Sequence, residues 1–125
     1  PSFRVLDGII ESTRDIVIGV FKRPSKPLIK KVGFKAIFHP LIIEAVFQTC
    51  GWRDLDIDSK MTLPHSIEEV KILDNNDEPD MLYTYAKFKG FNEFGRSVYD
   101  GYAFDEKERI WIELKNYVMI PMNIL

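Results

Sequence analysis

The stretch over residues 39–52 constrains the fold more than any other, because its apolar residues cover most of a helix circumference. Pro40 suits a first helical position, where a missing N–H costs nothing, and Gly51 suits the exit, where a left-handed residue is favoured. The apolar residues between them are too many for one stripe, which predicts a buried helix over about residues 39–52. These apolar residues are Leu41, Ile42, Ile43, Ala45, Val46, Phe47 and Cys50.

Two polar side chains interrupt this apolar surface. Glu44 and Gln48 are four residues apart, so they project from one face of the helix. A carboxylate and an amide on a buried helix need polar partners or a function. On these residues alone, the simpler interpretation is a polar stripe that faces solvent or a dimer seam.

Strand patterns surround the helix. Alternating or β-branched runs predict strands over residues 3–10, 16–21, 67–73, 81–89, 96–104 and 109–120. One buried helix followed by a twisting meander of about four strands predicts an α+β hot-dog fold, in which an antiparallel sheet of about five to six strands wraps the helix. A bare helix flank and an edge strand remain, which predicts pairing with a second hot-dog, as a homodimer or as two halves of one polypeptide.

Length and charge narrow the class of protein. A chain of 125 residues predicts a single domain over 1–125. A net charge of −2 gives no electrostatic basis for binding nucleic acid or an anionic membrane. The basic residues between 22 and 35 are interpreted as a solvated loop, with docking of an acidic partner as the alternative. With no apolar run of 18 residues we expect no spanning helix and a cytoplasmic location, and the start at Pro1 suggests a piece of a longer chain.

Three stretches resemble the second half of the double hot-dog dehydratase domain of modular polyketide synthases. Pro1-Ser2-Phe3-Arg4-Val5-Leu6 is similar to the family's Gly-Pro-x-Phe-x-x-Leu opening. The run from His39 to Gln48 resembles its His-Pro-x-Leu-Leu-Asp-Ala-x-x-Gln helix start. Leu63-Pro64-His65-Ser66-Ile67-Glu68-Glu69-Val70 resembles its Leu-Pro-x-Ser-hydrophobic-x-x-Val strand. The resemblance spans nearly the whole chain.

The resemblance implies a hydro-lyase that removes water from a β-hydroxyacyl group on an acyl carrier protein. Glu44 takes the position of the family's acidic residue and Gln48 that of its glutamine. The family's histidine comes from the first hot-dog half, and His65 is the candidate base within this chain. Dehydration needs a base for the α-proton and an acid for the leaving hydroxyl, and a carboxylic acid removed from water stays protonated more readily.

The rest of the site follows from the same resemblance. Phe47, Leu63 and Pro64 are expected to contact the acyl substrate. His39 is expected to cap or pack the helix start rather than to act on substrate. The substrate arrives on phosphopantetheine, and no phosphate-binding glycine loop or metal cluster is present in the sequence, so no cofactor is expected. The single Cys50 excludes an internal disulfide and is interpreted as a small core residue.

Two alternatives remain. Glu at the Asp position adds a methylene, about 1.5 Å of reach, and the partner histidine's half is absent, which favours a non-catalytic domain that binds acyl chains or shapes a synthase. A hot-dog acyl thioesterase also carries an acidic residue on this helix, to activate water or attack the thioester. All of these hypotheses require a tunnel beside Glu44 for a phosphopantetheine arm.

Overall fold

The sheet and its helix have the hot-dog architecture, in a computed structural model that describes residues 6–22, 34–73 and 79–122. Within these ranges, six antiparallel strands form one sheet in the order β1-β2-β4-β5-β6-β3. A single helix packs mainly against β2, β4 and β5, which confirms the predicted fold. The elements are β1 (Gly8–Ser12), β2 (Ile16–Lys22), α1 (Phe34–Asp58), β3 (Thr62–Ile72), β4 (Met81–Phe91), β5 (Ser97–Asp105) and β6 (Ile110–Pro121).

The helix is longer than predicted at both ends. It begins at Phe34, so Pro40 lies inside it, where it withholds one N–H from the backbone ladder without ending the helix. It also continues past Gly51 to Asp58, so the predicted exit at Gly51 was wrong. Buried polar contacts of Arg53 and Asp54, described below, hold this last part of the helix against the sheet.

The strand after the helix does not join the predicted meander. β3 pairs with β6 at the sheet edge, while β4 pairs with β2 and β5. The meander therefore comprises β4, β5 and β6 only. β3 also starts at Thr62 rather than at 67 and includes Pro64, which is tolerated because β3 is an edge strand with a bulge between Pro64 and Ser66.

The first strand is shifted along the chain relative to its prediction. β1 runs from Gly8 to Ser12, so it continues two residues beyond the predicted end at residue 10. Residues 3–5 of the predicted first strand and most of the basic residues between 22 and 35 lie outside the described residues.

A bulge in β6 sets which side chains enter the core near the helix. Gly101 of β5 pairs with Leu114, but Tyr99 pairs with Tyr117, so β6 has one extra residue between these pairs. Asn116, at the bulge, has a left-handed φ of 49°, which asparagine tolerates better than most residues. The extra residue returns Tyr117 and Met119 to the buried face after Leu114.

Candidate functional site

Glu44 and Gln48 lie side by side on α1, as their spacing predicted. Both are half-buried, and Gln48 Nε2 donates to Glu44 Oε1 at 3.5 Å. Gln48 Oε1 accepts the backbone N–H of Leu6 at 3.1 Å. Because the N–H of Leu6 can only donate, it must meet the amide oxygen, and the amide nitrogen is left to face Glu44. Gln48 therefore presents a donor to the carboxylate.

An open pocket adjoins this pair, between α1 and the strands β3 and β6. Its volume is about 300 Å³. Five of the six residues that the sequence assigned to the site line it, namely Glu44, Phe47, Gln48, Leu63 and Pro64. Most of the other lining side chains are apolar, and a mostly apolar cleft with a few convergent polar groups is typical of a small-molecule site. We call this cleft the Glu44 pocket.

The Glu44 pocket has an exposed mouth and a buried inner end. Met61 and Leu63 at the mouth are 54% and 46% exposed. Tyr117 and Met119, which also line the pocket, are 0% and 3% exposed. A ligand that enters past β3 therefore meets Glu44 and Gln48 from α1 and Tyr117 from β6.

A second cavity lies on the other side of Gln48. It has a volume of about 620 Å³ and is lined by Leu6, Gly8, Ile9, Gln48 and Trp52. Gln48 thus stands between two open spaces on the flank of α1. Its hydrogen bond to Leu6 also fixes the start of β1 to this flank.

His65, the sequence candidate for a base, is not among the residues that line the Glu44 pocket. It is exposed on β3, and its Nε2 lies 3.1 Å from an Arg96 guanidinium nitrogen. His39 is likewise absent from the pocket lining, and its ring lies 6.4 Å from that of Trp111. Glu44 therefore has no histidine beside it within the described residues of this chain.

A buried carboxylate that the sequence did not indicate lies six residues beyond Gln48 on the same helix. Asp54 is 2% exposed and accepts hydrogen bonds from Thr62 at 2.8 Å, from Ser97 at 2.9 Å and from the Tyr99 hydroxyl. These donors belong to β3 and β5, so Asp54 ties the end of α1 to both strands. Thr62 also lines the Glu44 pocket, and the Asp54 contacts thereby fix one of its walls.

Arg53 supports the same helix end through a different set of contacts. Its Nε donates to the Arg14 carbonyl at 2.9 Å, and its guanidinium donates to Asp58 at 2.5 Å. The central carbon of its guanidinium group, Cζ, also lies 3.4 Å from the ring centre of Phe88, which is a cation–π contact. A fully buried arginine needs this complete set of partners, which only the folded chain reveals.

Two tyrosines stand next to each other behind the Glu44 pocket. Tyr99 and Tyr117 are register partners on β5 and β6. The Tyr99 hydroxyl donates to Asp54, and burial together with this hydrogen bond raises the pKa of Tyr99 far above its usual range. No described residue hydrogen-bonds to the Tyr117 hydroxyl. Burial raises the pKa of Tyr117 likewise, and the nearby Glu44 carboxylate adds to this effect, so both phenols are protonated and able to donate.

The described residues contain no candidate metal site and no candidate membrane-spanning helix. In that part of the chain, no three His, Cys, Asp or Glu side chains come together in a way that could bind a metal ion. Among residues 6–22, 34–73 and 79–122, no helix has both the length and the apolar character needed to span a membrane.

The comparison with protein families decides the assignment. Residues 1–123 match the family described as the polyketide synthase dehydratase N-terminal domain. The chain belongs to the polyketide synthase dehydratase family. That description names the first domain, whereas the motifs above resemble the second half, so the choice of half stays a prediction. No match was found among curated proteins.

Solved structures share the fold at low sequence identity. The dehydratase domain from the CurJ module of the curacin polyketide synthase matches with a TM-score of 0.75 and 19% identity, over 96% of this chain and 42% of that one. The chain thus spans less than half the length of this dehydratase relative. Protein smu.793 from Streptococcus mutans, bound to acetyl CoA, matches with a TM-score of 0.74 and 12% identity, over 98% of this chain and 93% of that one.

A third structure carries a thioesterase description. It is a hypothetical thioesterase from Streptococcus pneumoniae with coenzyme A, with a TM-score of 0.65 and 11% identity, over 92% of this chain and 84% of that one. The chain covers most of the length of both streptococcal proteins but less than half of the CurJ dehydratase.

Proposed function

We propose that this chain is a dehydratase-like hot-dog domain that acts on β-hydroxyacyl thioesters carried by an acyl carrier protein. Its setting would be cytoplasmic polyketide or fatty acid-type biosynthesis, and its place the second half of a double hot-dog. The observation that carries the proposal is the paired Glu44 and Gln48 on the wall of an open, mostly apolar pocket. Membership of the dehydratase family supports the choice of reaction.

Glu44 is proposed as the acid that protonates the leaving β-hydroxyl. One carboxyl oxygen, Oε1, accepts from Gln48, and no described residue hydrogen-bonds to Oε2, which can deliver the proton to substrate. Loss of water then requires removal of the α-proton, formation of the α,β double bond and departure of the protonated hydroxyl. Gln48, held by Leu6, acts as a positioning residue because it fixes the orientation of the carboxyl group.

The base is proposed to come from a second hot-dog, since neither His39 nor His65 lines the Glu44 pocket. His65 could serve only if a partner brought it to the Glu44 of another protomer. The same observation favours a second candidate function, a domain that binds acyl chains without catalysis. Glu in place of Asp favours it too, because a catalytic group displaced by about 1 Å can lose a hundredfold in rate.

The decisive experiment is mass spectrometry of a β-hydroxyacyl pantetheine thioester incubated with the chain. With the second hot-dog that supplies the base also present, we expect loss of one water with the wild type and at least a hundredfold slower loss with Glu44→Gln, which keeps the size but not the acidic proton. Glu93→Gln, in the exposed β4–β5 turn, is the matched control and should retain the wild-type rate.

Each other result selects a different function. Release of the free acid, with its dependence on Glu44, would contradict the dehydratase proposal and identify a thioesterase. An unchanged thioester that nevertheless binds with micromolar affinity, measured by calorimetry on the same samples, would support the acyl-binding function instead. If the chain neither turned over nor bound the thioester, this result would refute an acyl thioester as the ligand.

A further inference from the structure

The hydroxyl of Tyr117 is a buried polar group without a hydrogen-bond partner among the described residues. A buried donor that is left unpaired destabilises the folded state, so such groups in folded proteins call for an explanation. Its neighbour Tyr99 gives the contrast. Tyr99 is equally buried and pairs with Tyr117 in register, but its hydroxyl is bound by Asp54.

The position of Tyr117 indicates what its hydroxyl could bind. Tyr117 is fully buried and lines the Glu44 pocket together with the helix residues Glu44 and Gln48. Its ring stacks on that of Phe47, with centroids 4.6 Å apart and an interplanar angle of 17°. Phe47 is only half-buried, so it can shift when a ligand enters. The bulge at Asn116 is what turns Tyr117 into this position.

We propose that the Tyr117 hydroxyl donates a hydrogen bond to the β-oxygen of the acyl ligand in the Glu44 pocket. Tyr117 thereby selects β-oxygenated acyl groups over saturated ones. This inference rests on the proposed function, because it assumes that an acyl thioester occupies the pocket with its β-carbon beside Glu44. The phenol stays protonated and makes no covalent bond. Its role is to bind and orient the oxygen that Glu44 protonates.

Selectivity of this kind has a physical basis. A site built to hydrogen-bond a ligand oxygen rejects the analogue that lacks it, because the buried polar group is then left unpaired. The free protein already bears the cost of the unpaired Tyr117 hydroxyl. A β-oxygenated ligand removes that cost on binding and a saturated ligand does not.

The test compares two pantetheine ligands in which an amide replaces the thioester and two methyl groups occupy the α-carbon, so that neither hydrolysis nor dehydration can occur. One carries a 3-hydroxy-2,2-dimethylbutanoyl group and the other a 2,2-dimethylbutanoyl group. Affinities of the full chain are measured by calorimetry for the wild type, Tyr117→Phe and Tyr99→Phe. We expect Tyr117→Phe to bind the hydroxylated ligand about five- to tenfold more weakly and the saturated ligand within twofold of wild type.

Thermal denaturation of the free proteins supplies the control for structural damage. Tyr117→Phe removes an unpaired hydroxyl and should leave Tm unchanged or raise it. Tyr99→Phe removes a donor to Asp54 and should lower Tm by about 4 °C while both ligands bind as before. These opposite effects separate a ligand-binding hydroxyl from a structural one.

Three results would overturn the inference. Equal weakening of both ligands by Tyr117→Phe would show that the hydroxyl does not recognise the β-oxygen. Wild-type affinity of Tyr117→Phe for both ligands would refute its role while leaving the proposed function intact. If the wild type bound neither ligand, the proposed function itself would fail, and this inference with it.

Discussion

Asp105 is the residue that organises the turn between β5 and β6. Its carboxylate accepts hydrogen bonds from Trp111 Nε1 at 3.0 Å and Arg109 Nε at 2.9 Å. It also accepts from the backbone N–H groups of Lys107 and Arg109. Burial works to raise the pKa of Asp105, but these hydrogen bonds outweigh it and lower the pKa below its ordinary value of 3.8.

This lowered pKa predicts a loss of stability in acid. Between the lowered pKa and about pH 4, the unfolded chain binds a proton at Asp105 that the folded chain does not, so the free energy of unfolding falls as the pH falls. At pH 7 we expect Asp105→Asn to cost about 2 kcal/mol. Urea unfolding from pH 7 to pH 2.5 should show that this difference between wild type and variant shrinks below pH 4. Parallel stability curves would contradict the prediction.

Residue-level prediction from the sequence worked where the signal was local. The spacing of Glu44 and Gln48 predicts a shared helix face, because four residues complete roughly one helical turn. Tyr117 gave no such signal, because its position depends on a bulge in β6 that no sequence period indicates. Asp54 and Arg53 gave no signal either, because they depend on partners far away in the chain, 43 residues in the case of Ser97 and Asp54.

At the scale of elements, α1 lies very close to the sheet at Gly101 of β5. A Cβ atom placed there would lie 2.5 Å from a methyl carbon of Val46, well inside van der Waals contact. Gly101 therefore lets the helix lie low on the strands. That depth positions Glu44 and Gln48, each two residues from Val46, relative to β6.

Gly101→Ala tests this packing. We expect it to lower the free energy of unfolding by about 1–3 kcal/mol, because overpacked cores distort their surroundings. Val46→Ala makes room for the new methyl group, so the double variant should be more stable than the sum of the two single changes predicts. Gly8→Ala is the control, since nothing lies within 4 Å of its added Cβ. Additive effects in urea unfolding would show that the contact does not limit the helix position.

Element prediction failed mainly at ends and at long-range pairing. The apolar pattern indicated the centre of α1, but tertiary contacts of Arg53 and Asp54 extend it to Asp58. The partner of β3 was also wrong, since adjacency along the chain favours β4 and the fold places β3 beside β6. Strand existence was predictable because β-branched and aromatic runs mark it, whereas strand order depends on contacts distant in sequence.

At the scale of the whole molecule, two apolar surfaces are left uncovered. Trp52 and Leu55 are 41% and 48% exposed on the flank of α1. Val70 and Ile72 are 44% and 48% exposed on the edge strand β3. An edge strand with apolar side chains pairs readily with another strand, and a self-complementary pairing produces a two-fold dimer.

We therefore predict that the chain associates through β3 with a second hot-dog, and with a second copy of itself when alone. Sedimentation at micromolar concentration should give twice the protomer mass. The double change Val70→Lys and Ile72→Lys should give the protomer mass, because lysines on an edge strand oppose pairing. Phe94→Lys is the matched control: Phe94 is 69% exposed but lies in the β4–β5 turn, so its replacement should leave the dimer intact. A wild type that sediments as a protomer at every concentration would contradict the prediction and leave the uncovered helix flank, rather than the edge strand, as the surface to which a partner half must bind.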